Sequence, residues 1–390
     1  MKSEWKSSTI GEACLLVTDG SHSSPNSTDT GEYMVSVKDF TPYGFDFSSC
    51  KRISSEDYAA LKRNGCVPKV GDILVGKDGA RYFEDIIIYD QPEHPALLSS
   101  IAILRCNPQE IVSEFLYYLM KTPSFKQHVR DNYGSGSAIP RIILKDFKRM
   151  PIQYPAIDEQ EKICSLLSRI DGKIKVNIQI NDNLQQQAET LFKAWFTDFD
   201  PFDNIKPNSW EAYTLGEVTE IGAGGDKPKN TSKTKSAECP YPVYSNGLDN
   251  EGLYGYTDKA KIFDESVTVS ARGTIGFVCL RHLPYVPIVR LITLIPKEGI
   301  LSAKYLYLYL KQLHISGTGT TQQQLTVPDF RKTEILIPDN ATMTNFTKVV
   351  TPIFNKIWAN EDENKQLALI RDTLLPKLMS GEIDVSGIQL

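Results

Sequence analysis

The chain has 390 residues, 41% hydrophobic and 23% charged, which excludes disordered, collagen-like and low-complexity classes and allows two or three domains with cores of their own. No stretch approaches the ~18 to 20 apolar residues of a membrane span, and the first ten residues lack the layout of a signal peptide, so we expect a cytoplasmic protein without membrane contact. The 43 lysines and arginines against 48 aspartates and glutamates give a net charge of −5, which excludes a whole-chain attraction to nucleic acid and makes any DNA binding local.

Short strand-like runs, bounded by Gly, Pro, Asn and Asp, fill two regions of the chain. They lie at 33–37, 72–76 and 101–105 in the first region and at 266–270 and 290–295 in the second. A helix-forming stretch interrupts each region, near 113–121 and near 302–312. We therefore predict an α+β (mixed α/β) fold with one domain at 1–155 and a similar one at 201–340.

The two regions carry the same motifs in the same order. The segment W-K-S-S-T-I-G-E at 5–12 returns as W-E-A-Y-T-L-G-E at 210–217, a shift of 205 positions. Three later matches, which begin at residues 72, 115 and 146, return at shifts of 194, 190 and 183. Because the shift only shrinks, the copies share one element order and differ by deletions, which predicts an internal duplication with pseudo-twofold character.

Long helices are predicted at 156–200 and 341–390, where apolar residues step by four and three as in a coiled-coil seam. Each seam holds two asparagines at the same phase, and a buried seam asparagine fixes register at some cost in stability. We predict that the helices pack antiparallel as a coiled coil with a domain at each end; ordinary amphipathic helices with solvated asparagines are the alternative. Pro352 predicts that the second helix begins near Thr351 or is kinked there. The seam and partner-docking positions are Ile163, Ile170, Ile174, Asn181, Leu184, Leu191, Ile353, Ile357, Asn364, Leu367 and Leu374.

No catalytic or metal-binding motif is evident. The sequence lacks the G-x-x-x-x-G-K-[ST] phosphate loop, the H-E-x-x-H zinc motif and a G-x-S-x-G nucleophile elbow. The seven cysteines are scattered without C-x-x-C spacing and are interpreted as reduced core thiols. We therefore expect neither a catalytic residue nor a metal or cofactor in this chain.

Two similar domains joined by helices suit a reader of two separated sites on DNA, where polar side chains read base edges and phosphate contacts set position. Lysines and arginines balance the acids in each domain, 18 against 19 in 1–150 and 15 against 15 in 201–340, so tight DNA binding is expected with a basic partner. The four lysines within 227–235 give the clearest local charge, although such a run is also typical of a solvated loop. The candidate DNA-binding residues, taken from polar loops, are Ser21, His22, Lys38, Lys77, Arg81, Arg141, Lys227, Lys229, Asn246, Arg272, Thr274 and Gln322.

Several motifs resemble a known family over essentially the full length. They are the two W-x-x-x-T-[IL]-G-E segments, G-D-I-L at 71–74, P-A-I-D-E-Q at 155–160, L-F-K-A-W-F at 191–196 and L-I-R-D-T-L-L-P-K-L-M-S-G-E at 369–382. With these motifs the chain resembles the specificity subunit of Type I restriction-modification systems. The second helix departs from the pattern, because N-A-T-M-T-N at 340–345 replaces the E-Q opening of the first.

The resemblance implies two target recognition domains, each of which reads one half of an asymmetric bipartite double-stranded DNA sequence, with the helices as spacers. It also implies two methyltransferase subunits that dock on the helices and carry S-adenosylmethionine for adenine N6 methylation. Two restriction subunits that use ATP and Mg would complete the complex. The chain itself would be a non-catalytic subunit without a cofactor.

Two other functions are weighed against this one. A nuclease or methyltransferase would need an acid cluster or an adenine pocket, and neither is found in the sequence. A coiled-coil scaffold whose end domains bind proteins, without DNA specificity of its own, is the main alternative.

Overall fold

The computed structural model describes residues 5–134, 140–316 and 324–387. The chain divides into two compact units. Unit 1 comprises Met1–Asn177 and Asp362–Leu390, and unit 2 comprises Ile178–Glu361. Each unit therefore holds one α/β region together with parts of both long helices.

The first half of the chain alternates short strands and helices as the sequence predicts. Its strands are β1 (Lys6–Thr9), β2 (Cys14–Asp19), β3 (Glu32–Val35), β4 (Phe40–Thr41), β5 (Gly44–Phe45), β6 (Lys51–Ile53), β7 (Ile73–Gly76), β8 (Ile86–Ile88), β9 (Ala96–Leu97), β10 (Ile101–Cys106) and β11 (Pro151–Tyr154). Its helices are α1 (Ile10–Ala13), α2 (Ser55–Arg63), α3 (Ser113–Lys121), α4 (Pro123–Tyr133), α5 (Leu144–Arg149) and α6 (Ile157–Phe196).

The second half repeats this plan with fewer elements. Its strands are β12 (Glu211–Thr214), β13 (Thr219–Ala223), β14 (Tyr241–Tyr244), β15 (Leu253–Thr257), β16 (Ser266–Val269), β17 (Val278–Arg281), β18 (Val286–Pro287), β19 (Ile292–Pro296) and β20 (Glu334–Ile337). Its helices are α7 (Leu215–Val218), α8 (Ala303–Gln312), α9 (Val327–Phe330) and α10 (Asn340–Met379). The predicted α+β fold class is confirmed.

The sheets of the two units have matching topologies, which confirms the predicted repeat. In unit 1 the four-stranded sheet has the order β2-β10-β7-β8, and in unit 2 it has the order β13-β19-β16-β17. A three-stranded sheet, β6-β3-β9 or β15-β14-β18, combines one antiparallel and one parallel pair in each unit. The first strand of each domain pairs with the last, β1 with β11 and β12 with β20.

The repeated T-[IL]-G-E motif forms the same helix start in both units. Thr9 caps α1 in a capping box, in which its amide donates to the Glu12 carboxylate at 3.1 Å. Thr214 caps α7 in the same way, with its amide 2.7 Å from Glu217. The intervening Gly11 permits close packing, because an added Cβ would lie 2.8 Å from a backbone oxygen of α5.

Each core joins the four-stranded sheet to the long helices. In unit 1 the buried set includes Ile73, Phe115 and Leu167, together with Leu378 from α10. In unit 2 aromatic rings dominate: the Phe196 ring meets the Tyr305 and Phe346 rings at centroid distances of 4.8 Å. Burying such a side chain contributes roughly 1.5 to 3 kcal/mol, so the sheet and the helices of each unit stabilise each other.

The two long helices pair antiparallel within each unit, and asparagines join them. In unit 1 the Asn177 amide donates to Asn364 at 2.9 Å, and in unit 2 the Asn360 amide donates to Asn181 at 2.8 Å. The predicted seam positions are buried or half-buried and none is exposed. The asparagines are thus seam residues, as predicted, and the alternative of two solvated asparagines on each helix is wrong.

The second long helix does not begin near Thr351, and this prediction from Pro352 is wrong. Helix α10 runs without interruption from Asn340 to Met379 and contains Pro352 in its interior. An interior proline removes one helical hydrogen bond and costs ~3 kcal/mol. Phe346 and Phe354, both buried in the core of unit 2, flank the proline and offset this cost.

Candidate nucleic-acid interface

In unit 1 the polar loops predicted from the sequence meet at one end of the four-stranded sheet. The Lys77 amide, just after β7, donates to the Ser100 carbonyl before β10 at 2.9 Å. The Gly79 amide donates to Pro140, in the loop before α5, at 3.0 Å. A bridge between Ser21 and Leu98 joins the loops after β2 and β9. Loops that are far apart in sequence therefore form one polar surface.

In unit 2 the equivalent loops meet in the same way. The amides of Val289 and Arg290, after β18, donate to Gly225 and Gly224, after β13, both at 2.9 Å. The loop after β16 meets the loop before α9, because the Ala271 carbonyl accepts from the Leu325 amide at 3.0 Å. Strands β14 and β18 are parallel, so the loops that follow them lie at the same end of the three-stranded sheet.

Four of the six predicted DNA-binding residues of unit 1 present exposed side chains at these loops. His22 is 72% exposed, with Nε2 3.4 Å from an Asp19 oxygen, and Arg81 is 72% exposed and paired with Asp85 at 2.9 Å. Lys38 and Arg141 are also exposed. Their role in DNA binding stays a prediction.

Lys77 and Ser21 require correction, because both are buried and bonded internally. The Lys77 side chain is 3% exposed, with its ammonium 3.3 Å from Asp19 and 3.6 Å from Asp78. A buried ammonium is held by carboxylates, since its desolvation is otherwise costly. Ser21 is 6% exposed, and its hydroxyl donates to the Ser23 carbonyl at 2.7 Å. Both residues shape the loops and do not reach solvent.

Asn246, which is half-buried, also builds the loop surface through internal hydrogen bonds, and its role in DNA binding stays a prediction. Its Nδ2 donates to the Val289 carbonyl at 2.7 Å, while its Oδ1 accepts from the Ala271 amide at 2.8 Å. One side-chain amide thus ties the loop after β14 to the loops after β18 and β16. With its oxygen and one N–H engaged in this way, Asn246 positions neighbouring residues and is a poor candidate for direct base reading.

The remaining predicted residues of unit 2 differ in accessibility. Arg272 is half-buried and donates from Nη2 to Gln324 at 3.1 Å; its Nε is buried without a partner among the described residues. Thr274 and Lys229 are exposed. Gln322 lies outside the described residues.

The lysine-rich segment packs on an aromatic ring. The ammonium groups of Lys227 and Lys233 lie 4.9 and 4.5 Å from the centroid of the Tyr254 ring. A side-chain hydrogen bond with Lys227, and the positive charge of both lysines, lower the pKa of the Tyr254 hydroxyl. Tyr254 lies near the start of β15, which runs antiparallel to β14, so this positive charge lies at the loop end of the three-stranded sheet.

Arg290 is an exposed residue at this surface that is not among the residues predicted from the polar loops. The sequence assigns it to the strand-like run 290–295, whereas the strand begins at Ile292 and Arg290 belongs to the preceding turn. Its position as a charged residue at the start of the apolar run is the sequence feature that could have indicated its exposure. Unlike Arg281, which is 4% exposed and bonded to Glu251 at 2.7 Å, Arg290 is exposed.

Neither a metal-binding cluster nor a membrane-spanning helix is found among the described residues. The described residues contain no group of three or more His, Cys, Asp or Glu side chains arranged to hold a metal ion. Within the same described residues, the helices lack the combination of length and apolar character that a membrane span requires.

Comparison with known proteins shows similarity over most of the chain. Residues 2–186 and 207–369 match the family described as the Type I restriction modification DNA specificity domain. The chain is 29% identical over 316 residues to the Type I restriction enzyme MjaIX specificity subunit of Methanocaldococcus jannaschii. This alignment covers 71% of each chain. It is 25% identical to the HindI specificity subunit of Haemophilus influenzae, over 87% of this chain and 90% of that one.

The fold has a counterpart among solved structures. The crystal structure of the Type-I restriction-modification system S subunit from M. genitalium aligns with a TM-score of 0.56 and 18% identity. The alignment covers 97% of this chain and 96% of that chain. At this identity the likeness concerns the fold alone.

Proposed function

The chain belongs to the Type I restriction modification DNA specificity family and is a specificity subunit rather than a catalytic one, and from this premise we propose that its two α/β domains each read one half of a bipartite DNA target. The observation that carries this proposal is the repeated loop surface, formed at the same sheet end in both units. One surface of this kind serves each half-site. The alternative of an interaction scaffold without DNA specificity does not account for the family match.

The chemistry of the two surfaces supports two different half-sites. Unit 1 presents His22, Lys38 and Arg141 at its loops. Unit 2 presents a lysine-rich segment and Arg290. Exposed lysines provide phosphate contacts that set position, and side chains of differing shape and hydrogen-bonding capacity read base edges. Since the side chains differ at equivalent loops, the target is asymmetric.

The long helices provide the surface on which partner subunits dock. In unit 1, Val176, Leu369 and Ile370 are exposed on α6 and α10, with Leu369 70% exposed. In unit 2, Ile178, Ile180 and Val349 are exposed in the same helices. Apolar side chains in solvent are typical of interaction sites when they are grouped. One methyltransferase subunit docks on each unit, two in all, and two restriction subunits join the complex in the cytoplasm.

In this arrangement the partners perform the chemistry. The methyltransferase subunits bind S-adenosylmethionine and modify adenine N6, and the restriction subunits use ATP and Mg. The near balance of charge in each domain, 18 against 19 and 15 against 15, favours weak DNA binding by the isolated chain and tight binding by the complex.

The experiment that tests this function is a single-molecule methylation map. The chain is expressed with the methyltransferase subunit of its own system, in a host that lacks adenine methylation, and the methyltransferase alone serves as the control. We expect a two-part adenine motif with a fixed unspecified gap, which is absent in the control. A motif that also appears without this chain, or a blank map from a complex that co-purifies intact, would contradict the specificity role.

A further inference from the structure

We propose that Arg290 is a base-reading residue for the half-site of unit 2, a proposal that rests on the proposed function. Arginine is the side chain most often used for specific base contact, because its guanidinium donates two parallel hydrogen bonds to O6 and N7 of guanine. The ligand inferred for Arg290 is therefore a guanine edge in the major groove.

The backbone that carries Arg290 is strained. Val289 and Arg290 have φ angles of 54° and 61°, in the left-handed region that favours glycine. A β-branched residue such as valine is an outlier there. Strain of this kind persists only where the surroundings impose the conformation.

The surroundings of the turn do impose it. The amides of Val289 and Arg290 are bonded to the carbonyls of Gly225 and Gly224, and the Val289 carbonyl accepts from Asn246 at 2.7 Å. An added Cβ on Gly224 would lie 2.7 Å from the backbone nitrogen of Ile288, so glycine is needed for this close approach. The turn is thus held by two other loops, and the base of the Arg290 side chain has a fixed direction.

The other three arginines of unit 2 each have a guanidinium that is hydrogen-bonded within the described residues. Arg281 is buried against Glu251 and the Tyr244 ring, Arg272 donates to Gln324, and Arg331 donates to the Ile221 carbonyl at 2.9 Å. Arg290 is exposed, and no carboxylate of the described residues lies within 4 Å of its guanidinium. A guanidinium that is exposed and unpaired breaks no internal ion pair when it binds DNA.

The equivalent position of unit 1 carries different chemistry. The bridges Ser21 to Leu98 and Gly225 to Ile288 identify the two turns as equivalent, so Ser100 occupies the position in unit 1 that corresponds to Arg290 in unit 2. The Ser100 hydroxyl is buried without a hydrogen-bond partner among the described residues. Only the turn of unit 2 therefore extends a long cation from this position, which makes Arg290 specific to one half-site.

The test uses the complete complex with its methyltransferase subunit and a single-molecule methylation map. Arg290→Ala is compared with Arg290→Lys and with Arg331→Ala, a charge-matched control whose residue lies at the opposite end of β13. We expect Arg290→Ala to lower methylation of the wild-type site by at least about 10-fold and to relax one base position of one half-site. Arg290→Lys retains the positive charge but not the two parallel hydrogen bonds of the guanidinium, so it should relax the same base position. Arg331→Ala should leave the methylated motif unchanged.

Co-purification of each variant with its partner and an unchanged unfolding temperature show that the fold is intact. A uniform loss of methylation with the motif unaltered would make Arg290 a phosphate contact and overturn base reading. An unchanged motif and unchanged extent of methylation would also overturn it. If the wild-type complex itself gives no bipartite motif, the proposed function fails instead, so the two failures are distinguishable.

Discussion

The Lys77 ammonium shows how a polar loop residue becomes part of the fold. It lies 3.3 Å from Asp19 and 3.6 Å from Asp78, and the side chain is 3% exposed. Removing one partner of a buried ion pair leaves an uncompensated charge and destabilises the protein strongly. The intact pair, by contrast, adds little stability over apolar residues of similar volume at the same positions. Lys77 therefore holds the ends of β2 and β7 together and leaves base contact to its exposed neighbours.

We predict that Lys77→Ala destabilises unit 1 instead of altering sequence preference. The change leaves the buried Asp19 carboxylate without its cation and costs about 3 kcal/mol. In thermal unfolding of the complex, the midpoint temperature of the transition that includes unit 1 should decrease clearly. The matched control is Lys38→Ala, an exposed lysine of the same unit, which should leave that midpoint nearly unchanged. Equal midpoints for the two variants would show that the Lys77 pair is not needed for stability.

At this scale the sequence identifies loop polarity but not accessibility. Ser21, Lys77 and Asn246 have the composition of contact residues, yet their bonding partners lie in loops that only the tertiary fold brings near. The sequence predicts a strand at Arg290, because no neighbouring glycine or asparagine indicates a left-handed turn. The turn is imposed by Gly224 and Gly225, which are remote in sequence.

At the scale of elements, the long helices follow closely from their sequence. The four-three spacing identifies the buried stripe, because a helix places these positions on one face whatever its partner. The interior Pro352 misled the prediction of the helix start, since local propensity is outweighed by the packing of Phe346 and Phe354. Periodic patterns are read correctly from sequence, and single-residue signals are overridden by burial.

The asparagine pair of unit 2 provides a test of register at this scale. Asn360 is 1% exposed and donates to Asn181 at 2.8 Å. We predict that Asn360→Leu alone lowers stability by about 1 kcal/mol, because the Asn181 oxygen loses its donor. The double variant Asn181→Leu/Asn360→Leu removes both partners and should equal or exceed the wild type in unfolding temperature.

Comparison of the single and double variants separates the contribution of the asparagines to stability from their contribution to the register of the two helices. Leucines at both positions remove the polar match that fixes register, so the double variant should assemble less uniformly with its partner, as measured by native mass spectrometry. If the single and double variants lose equal stability, the asparagine bond contributes more to stability than to register. The pair Asn177 and Asn364 of unit 1 offers the equivalent comparison.

At the scale of the whole molecule, duplication explains both what was predictable and what was not. Ordered matches at decreasing shifts indicate two copies of one fold, and the equal sheet orders follow from that. The second copy lacks counterparts of α2 and α4, and the loop residues at the candidate DNA surface differ between the copies, so the repeat predicts the scaffold and says little about the contacts. Near-neutral domains with local basic loops then place the attraction to DNA at the loop ends instead of over the whole chain.

The paired helices predict how the molecule sets the distance between half-sites. We expect that one heptad inserted in both helices, between Asn177 and Asn181 and between Asn360 and Asn364, keeps the seam in phase and both asparagine pairs intact. Seven residues add ~10 Å to each helix, equivalent to about three base pairs of DNA. The methylation map should then show a longer gap with both half-sites unchanged. As a control, a matched insertion of five residues in both helices rotates the seam out of phase and should abolish methylation. An unaltered gap after the heptad insertion would refute the role of the helices as spacers.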